Sequence, residues 1–255
     1  EQELDHLNIP DELIVCSNWA KQVLKNNGIS QKIHVVPLGV DTDIFNPVPK
    51  NNNDTYVFYN IGKLERRKGH DFLPEVFSRA FNKEDNVRLD MLCNNPFLHP
   101  SEMEQYIKEA KSTKLADKIT FHNPVIGAKD IAKFINERDC GVFPARAEGW
   151  NMELLESMAC GKPVITTNYS AHTEYCNKDN SFLIETPNLE SAYDGKWFFN
   201  QGEWAEFDYD QEEQLIEHLR SCYKHRPANV VGWATAKGYT WKETSRKLMN
   251  VIAYL

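Results

Sequence analysis

Short, uninterrupted apolar runs constrain this chain more than any other feature. They are LIVC (13–16), IHVV (33–36), YVFYNIG (56–62), VRLDMLC (87–93), KITF (118–121), CGVF (140–143), PVIT (163–166) and FLI (182–184). Amphipathic stretches separate most of them: one opening at Ser17 as N-cap, then 69–81, about 101–115, 127–137 and 152–160. Two more helical stretches close the chain, at about 210–224 and 240–254. A strand with one wet face alternates apolar and polar residues, whereas a strand that is apolar throughout is buried on both faces. Such strands alternating with helices specify a parallel sheet covered on both sides, an α/β doubly wound, Rossmann-like domain. Ligands of these sheets sit at the carboxyl ends of the strands, so the loops following each run are where chemistry is expected.

The 255 residues suit one domain with additional pieces. Residues 1–36 supply two strands and one helix, too little to bury a core alone. Pro37, Gly39, Pro47 and Pro49 make 37–50 read as a linker. The main domain is expected over 51–230, after the polar break KNNND, and a final helix over 238–255 follows a break near Pro227–Gly238. The chain opens on Glu1 and enters a strand almost at once, so 1–36 reads as the end of a further domain. A count of 29 basic against 37 acidic residues gives −8, without the basic footprint of a nucleic-acid binder. No apolar run approaches the ~20 residues needed to span a bilayer. The six cysteines, at 16, 93, 140, 160, 176 and 222, form no CxxC and lie at no zinc spacing from histidine. They read as free thiols of a reducing, cytoplasmic protein without structural metal, in which the sequons at Asn53 and Asn168 stay unused.

Neither GxGxxG nor GxxxxGK[ST] occurs. Asp41-Thr42-Asp43 and Asp208-Tyr209-Asp210 could hold a divalent metal, but a linker turn and a helix start account for them better. Two other stretches carry more. In YNIGKLERRKGHDFL a strand ends at Gly62, Lys63 follows, and Lys68-Gly69 precedes a helix. Cations beside helix amides make a phosphate cradle; a solvated basic turn is the competing reading. In FPARAEGWNMELLESMACGKPVIT a strand runs into a loop with Glu148 and Gly149, and a helix starts near Asn151 and contains Glu156. Carboxylates at such a place can accept hydrogen bonds from sugar diols, and the amides of Asn151, Met152 and Glu153 are available to an anion or a hydroxyl. The alternative is a surface helix with scattered acids.

Taken together, GVDTDIF (39–45), GKLERRKG (62–69) and EGWNMELLESMACGKPVI (148–165) resemble the C-terminal half of a retaining, GT-B-fold glycosyltransferase of family 4. The closing helix with Trp241 resembles the one that crosses back to the N-terminal domain of that fold. The resemblance implies a hexosyltransferase using a UDP- or GDP-sugar, with no cofactor and no metal, acting on a glycan or other hydroxyl acceptor. It implies that Lys63 and Lys68, beside Gly62, hold the donor diphosphate, that Glu156 takes the ribose and that Glu148 takes the transferred sugar. Gly149, Asn151, Met152 and Glu153 would border the donor, and the backbone near Val125 would meet the base. Lys63 stands where the family usually has arginine and Asn151 where glycine is common, so a guanidinium fork becomes a point charge. The N-terminal Rossmann domain of the family supplies the acceptor site; by this comparison the chain alone would be inactive. Two rival expectations are a non-enzymatic donor-binding module lacking its acceptor domain and a GT-B nucleotide-sugar epimerase.

Three features stay outside this scheme. Glu174, in the stretch after PVIT, is read as a helix-start acid, with orientation of the cleft loop as the alternative, and His172 is not read as a general base, since no Ser or Cys partner pattern surrounds it. YDGKWFFNQGEW (193–204) is read as a long, locally packed aromatic loop, with a platform for a partner as the alternative.

Overall fold

The computed structural model describes residues 2–50 and 54–254; the polar break at 51–53, with the sequon at Asn53, lies outside the described residues. Strands β3 (Tyr56–Gly62), β4 (Val87–Cys93), β5 (Ile119–Phe121), β6 (Cys140–Phe143), β7 (Val164–Thr167) and β8 (Phe182–Ile184) build one sheet. Its order is β5-β4-β3-β6-β7-β8 and every pairing is parallel. The order reverses between β3 and β6, which opens a crevice at their carboxyl ends.

The uninterrupted apolar character of the strands matches two covered faces. On one face Phe58, Leu89 and Met91 meet Val76 and Phe77 of α3 (Leu73–Ala80) and Leu215 and Leu219 of α7 (Tyr209–His225). Met103 and Tyr106 of α4 (Pro100–Ala110) pack on the same cluster. On the other face Tyr59, Ile61 and Leu92 meet Ile135 of α5 (Ala128–Asn136), Leu155 and Met158 of α6 (Met152–Ala159), and Ala236 of α8 (Val230–Ala236). The period of two along β3 thus sends Phe58 and Tyr59 into separate cores.

Several helices depart from their expected limits. That expected over 69–81 begins only at Leu73, because Arg66–Lys68 form a tight 3₁₀ turn closed by Gly69 at φ 80°. The one expected over 101–115 ends at Ala110. The expected break near 227–238 holds α8, capped by the Asn229 side chain on the Gly232 amide and packed on α6. Residues Gln2–Leu7 form a short helix, α1, with no counterpart in the sequence expectation. The aromatic stretch 193–204 is no loop: β9 (Leu189–Tyr193) and β10 (Phe199–Ala205) pair antiparallel, and Asp194 accepts the amides of Lys196, Trp197 and Phe198 at the turn. Asp-Gly at 194–195 is a hairpin signal that the density of aromatics obscured.

Residues 12–35 form a separate pair of parallel strands, β1 (Glu12–Val15) and β2 (Lys32–Val35), around α2 (Asn18–Asn26). Ser17 caps α2 as expected, its Oγ accepting the Ala20 amide at 3.0 Å. Glu174 departs from its expected place: its carboxylate closes α2, accepting the Asn18 amide at 2.5 Å and the Asn18 side chain at 2.9 Å. Between β2 and β3, Val40 and Phe45 are buried in the second core, and Asp41 Oδ1 accepts the amides of Asp43 and Ile44. Asp208 caps α7. Both acidic triplets thus spend a side chain on backbone. The last helix, α9 (Trp241–Ile252), is fastened here by Thr244 donating to the Pro37 carbonyl. All six cysteines are free thiols, and no helix among the described residues is long and apolar enough to cross a membrane.

Candidate functional site

Strands β3 and β6 end side by side at the reversal of the sheet, and the segments that follow them, 63–72 and 144–151, face each other. A Cβ on Gly62 would lie 2.9 Å from Cδ of Lys68, at φ +152°. Glycine there gives the Lys68 side chain its path across the strand end. Lys68 Nζ reaches Glu148 Oε1 at 2.6 Å, and Arg67 Nη1 reaches Glu148 Oε2 at 2.9 Å. Arg67 also donates to the Ala147 carbonyl at 2.6 Å and to Glu65 Oε1 at 2.6 Å. From behind, the Glu148 amide donates to Ser170 Oγ and the Ala171 amide donates to the Glu148 carbonyl. Burial would raise the Glu148 carboxyl, but Lys68 and Arg67 outweigh it and hold it at about 2. Burial likewise works against the Lys68 ammonium, and Glu148 more than restores it.

This geometry changes the expected cradle. Lys63 and Lys68 do not act as a matched pair: Lys68 is buried against Glu148, whereas Lys63 is exposed, 5.8 Å from the Phe97 ring centre, without an ion pair among the described residues. The helix amides expected beside Lys68-Gly69 lie further on, since α3 starts at Leu73. Arg67 and Lys68 face Glu65 and Glu148, so the cluster is close to neutral, and Lys63 takes no part in it.

Below the loop, His70 Nδ1 accepts the Glu65 amide at 3.0 Å, and its Nε2 lies 2.8 Å from Asn60 Oδ1 and 3.3 Å from Cys93 Sγ. Burial and the neighbouring Lys68 and Arg67 lower His70 to about 3, and burial raises the Cys93 thiol. A neutral imidazole and a protonated thiol make this a structural knot tying β3, β4 and the loop, not a nucleophile.

Asn151 opens α6 with a left-handed backbone, φ 71°, and its Oδ1 accepts the Leu154 amide. Glycine and asparagine are the residues that take that conformation readily. The Asn151 side-chain amide donates to His172 Nε2 at 2.9 Å. His172 is fully enclosed and lowered, chiefly by burial, to about 4. It anchors the loop as a neutral ring between Asn151 and the end of β7. The amides of Met152 and Glu153 have no acceptor among the described residues. One turn further, the half-buried Glu156 carboxyl has no hydrogen-bond or ionic partner there, and burial with nearby Glu153 raises it to about 8. Gly149 is exposed, with open space where a Cβ would be, and its carbonyl accepts Cys16 Sγ–H at 3.1 Å. Val125 stands exposed in the loop after β5 and makes no hydrogen bond to the charged cluster.

The structure therefore brings Gly62, Lys68 and Glu148 into direct contact, with Asn151 tied in through His172, and leaves Lys63 and Val125 apart. Arg67, Glu65 and Ser170 were not singled out from sequence. Arg67 had a signal, since a second cation beside Lys68 in ERRKG needs a counter-ion, and Glu148 was already a candidate.

Residues 55–194 match the family model described as Glycosyl transferases group 1. The chain is 28% identical over 151 residues to the D-inositol 3-phosphate glycosyltransferase of Paenarthrobacter aurescens, covering 54% of this chain and 35% of that protein. It is 28% identical over 233 residues to a probable sucrose-phosphate synthase of Thermosipho melanesiensis, covering 88% and 48%. The chain thus spans about half or less of the length of these curated relatives. Among solved structures, the sucrose-phosphate synthase from Thermosynechococcus elongatus superposes with a TM-score of 0.75 at 17% identity, over 99% of this chain and 60% of that one. The HepE protein of Anabaena in complex with UDP-glucose gives 0.78 at 15% identity, over 99% and 66%. The shared fold is that of GT-B glycosyltransferases.

Proposed function

Since the chain belongs to the group 1 glycosyl transferases, we propose that it forms the donor-binding half of a retaining, family 4 hexosyltransferase that uses a UDP- or GDP-sugar without metal. The observation that carries this reading is the Lys68–Glu148–Arg67 cluster at the carboxyl ends of β3 and β6, with the unpartnered Glu156 one helix turn along α6. Lys63 meets the diphosphate from the open side and Lys68 from the floor. Glu156 accepts both ribose hydroxyls, and Glu148, held ionised, accepts hydroxyls of the transferred sugar. The free amides of Met152 and Glu153 complete the wall, Gly149 leaves room for the sugar, and the backbone near Val125 meets the base.

In the reaction the bond between the anomeric carbon and the diphosphate oxygen breaks with its electron pair going to the diphosphate. The acceptor oxygen bonds to the anomeric carbon from the same face, and its proton leaves on the departing diphosphate. Charge grows on that leaving group, so preplaced cations are the protein's main means of lowering the barrier. The acceptor site and a second cleft wall come from a further domain of about 150–200 residues. The reading also places the protein in the cytoplasm, where nucleotide-sugars are available.

Titrating UDP-, GDP- and ADP-glucose into the chain, with and without EDTA, tests this. One donor should bind at micromolar concentration and chelator should change nothing. Binding of none overturns the reading, and binding that needs manganese or magnesium overturns its metal-free part.

A further inference from the structure

A second site, unrelated to the donor crevice, is written in the arrangement of charge around α5. A cavity of about 820 Å³ lies between α5, the β4 face and the 43–50 segment. Five of its lining side chains are cationic (Lys50, Arg88, Lys129, Lys133 and Arg138) and two are acidic, Asp43 and Glu137. With Asp90 beneath Arg88 and Arg138, and Asp139 paired with Lys50, the balance is one positive charge, five less four, in a chain whose net charge is −8. Ile44, Val48 and Ala132 give it an apolar wall.

The cationic floor is built, not a chance gathering of surface lysines. Asp90, fully buried on β4, holds two guanidiniums at once: Arg88 through Nε at 2.6 Å and Nη2 at 3.0 Å, and Arg138 through Nε at 2.8 Å. Arg138 is itself buried, lies with its Cζ 3.3 Å from the Phe134 ring centre, and donates Nη1 to the Phe134 carbonyl. One carboxylate thus fixes the planes of two forks while neutralising one charge between them. Arg138 Nη2 and Arg88 Nη1 have no hydrogen-bond partner among the described residues. Lys129 forms no ion pair there either, and Lys133 reaches only Glu137, at 3.9 Å. Planar, pre-oriented guanidinium edges backed by lysines suit a phosphate ester, whose oxygens take parallel N–H bonds.

We propose that this cavity binds a small phosphate monoester, its phosphate on Arg88 and Arg138 with Lys129 and Lys133 closing over it, and its organic part against Ile44 and Val48. The site stands apart from the donor crevice. It lies between α5 and the start of β4, and none of the residues assigned to donor binding lines it. Asn136 of α5 already holds the 43–50 segment, accepting the Val48 amide at 3.0 Å and donating to the Asn46 carbonyl at 3.1 Å, and occupancy would brace that joint.

The test is calorimetry with glucose 6-phosphate and with inorganic phosphate, on the full chain with the donor crevice pre-filled with UDP. Both should bind with UDP present, the ester more tightly. Lys129→Gln/Lys133→Gln, on the exposed face of α5, should weaken both by at least about tenfold, and Arg88→Gln by more. UDP affinity should be unchanged in the lysine variant, which separates this outcome from failure of the donor reading. Phosphate binding that UDP abolishes, that both variants retain, or that is absent at millimolar concentration overturns the proposal; binding of phosphate and ester alike overturns the part given to the apolar wall.

Discussion

At the scale of single residues, the two lysines that the sequence groups together have opposite circumstances. Lys68 is enclosed with Glu148 and shares it with Arg67, so replacing it strands a buried carboxylate. Removing one partner of such a pair costs about 3–5 kcal/mol. Lys68→Ala should therefore lower both stability and UDP affinity, whereas Lys63→Ala should lower UDP affinity roughly tenfold at unchanged stability. Urea denaturation beside calorimetry separates the two; equal stability of both variants would contradict the buried pair. Glu156 yields a pH prediction. Its folded value, about 8, lies above the ordinary 4.5, so below pH 4.5 both states hold the proton and the site is neutral towards stability. As pH rises from 4.5 towards 8 the unfolded chain loses that proton while the folded one keeps it, and stability falls. Glu156→Gln removes the loss: it should match wild type at pH 4 and exceed it by about 1–3 kcal/mol at pH 8, the full linkage value being trimmed because the carboxyl keeps some solvent contact. If donor ribose is taken by the ionised form, UDP binding at pH 7 should release a proton, seen as a dependence of the measured heat on buffer ionisation enthalpy.

At the scale of elements, the sheet was legible because its strands advertise themselves: β3, β4, β6 and β8 occupy the very runs YVFYNIG, VRLDMLC, CGVF and FLI. Elements without a strong period were not. Helix α8 spans only seven residues between Pro227 and Gly238, and β9–β10 alternate poorly because most of β10 faces solvent. The loop carrying Lys68 was legible as a charged strand end, but its conformation depends on contacts that sequence spacing does not encode. Gly69, at φ 80°, would place a Cβ 2.6 Å from the Pro144 carbonyl oxygen on the opposite loop. Gly69→Ala should accordingly push the two loops apart, lowering stability by about 2 kcal/mol or more from strain and contact together. It should also weaken UDP binding, since Lys68 and Glu148 sit on those loops. Gly28→Ala supplies the control: its φ is 85° at the end of α2 but nothing lies within 4 Å of the added Cβ, so only about 1 kcal/mol of backbone strain is expected. Similar losses from both substitutions would show that the loop contact contributes little.

At the scale of the whole molecule, the crevice and the strand pair of residues 12–35 share one piece of backbone. The turn Ser170–Glu174 holds the Glu148 loop through Ser170 and Ala171, and four residues later its carboxylate closes α2. Cys16 adds a second link, to the Gly149 carbonyl, and Tyr239, just before α9, donates to the Glu174 carbonyl. Sequence reading placed Glu174 correctly after a strand but could not reveal that the helix it serves begins 156 positions earlier. A carboxylate at a helix N-terminus accepting charge-assisted bonds contributes about 1–2 kcal/mol, enough to set how often α2 opens. Ordering the Glu148 loop around a donor should order this turn, and through Glu174 it should reach α2. UDP-glucose should thus slow amide hydrogen exchange in residues 18–26 as well as in 148–156. Glu174→Gln, which keeps the shape but gives up the charge and one acceptor, should speed exchange in 18–26 several-fold and uncouple it from UDP-glucose, while the protection gained in 148–156 remains. The turn is the link only if that uncoupling occurs; protection of α2 that persists in Glu174→Gln would assign the coupling to Cys16 and Gly149, and Cys16→Ala would then be the variant that loses it.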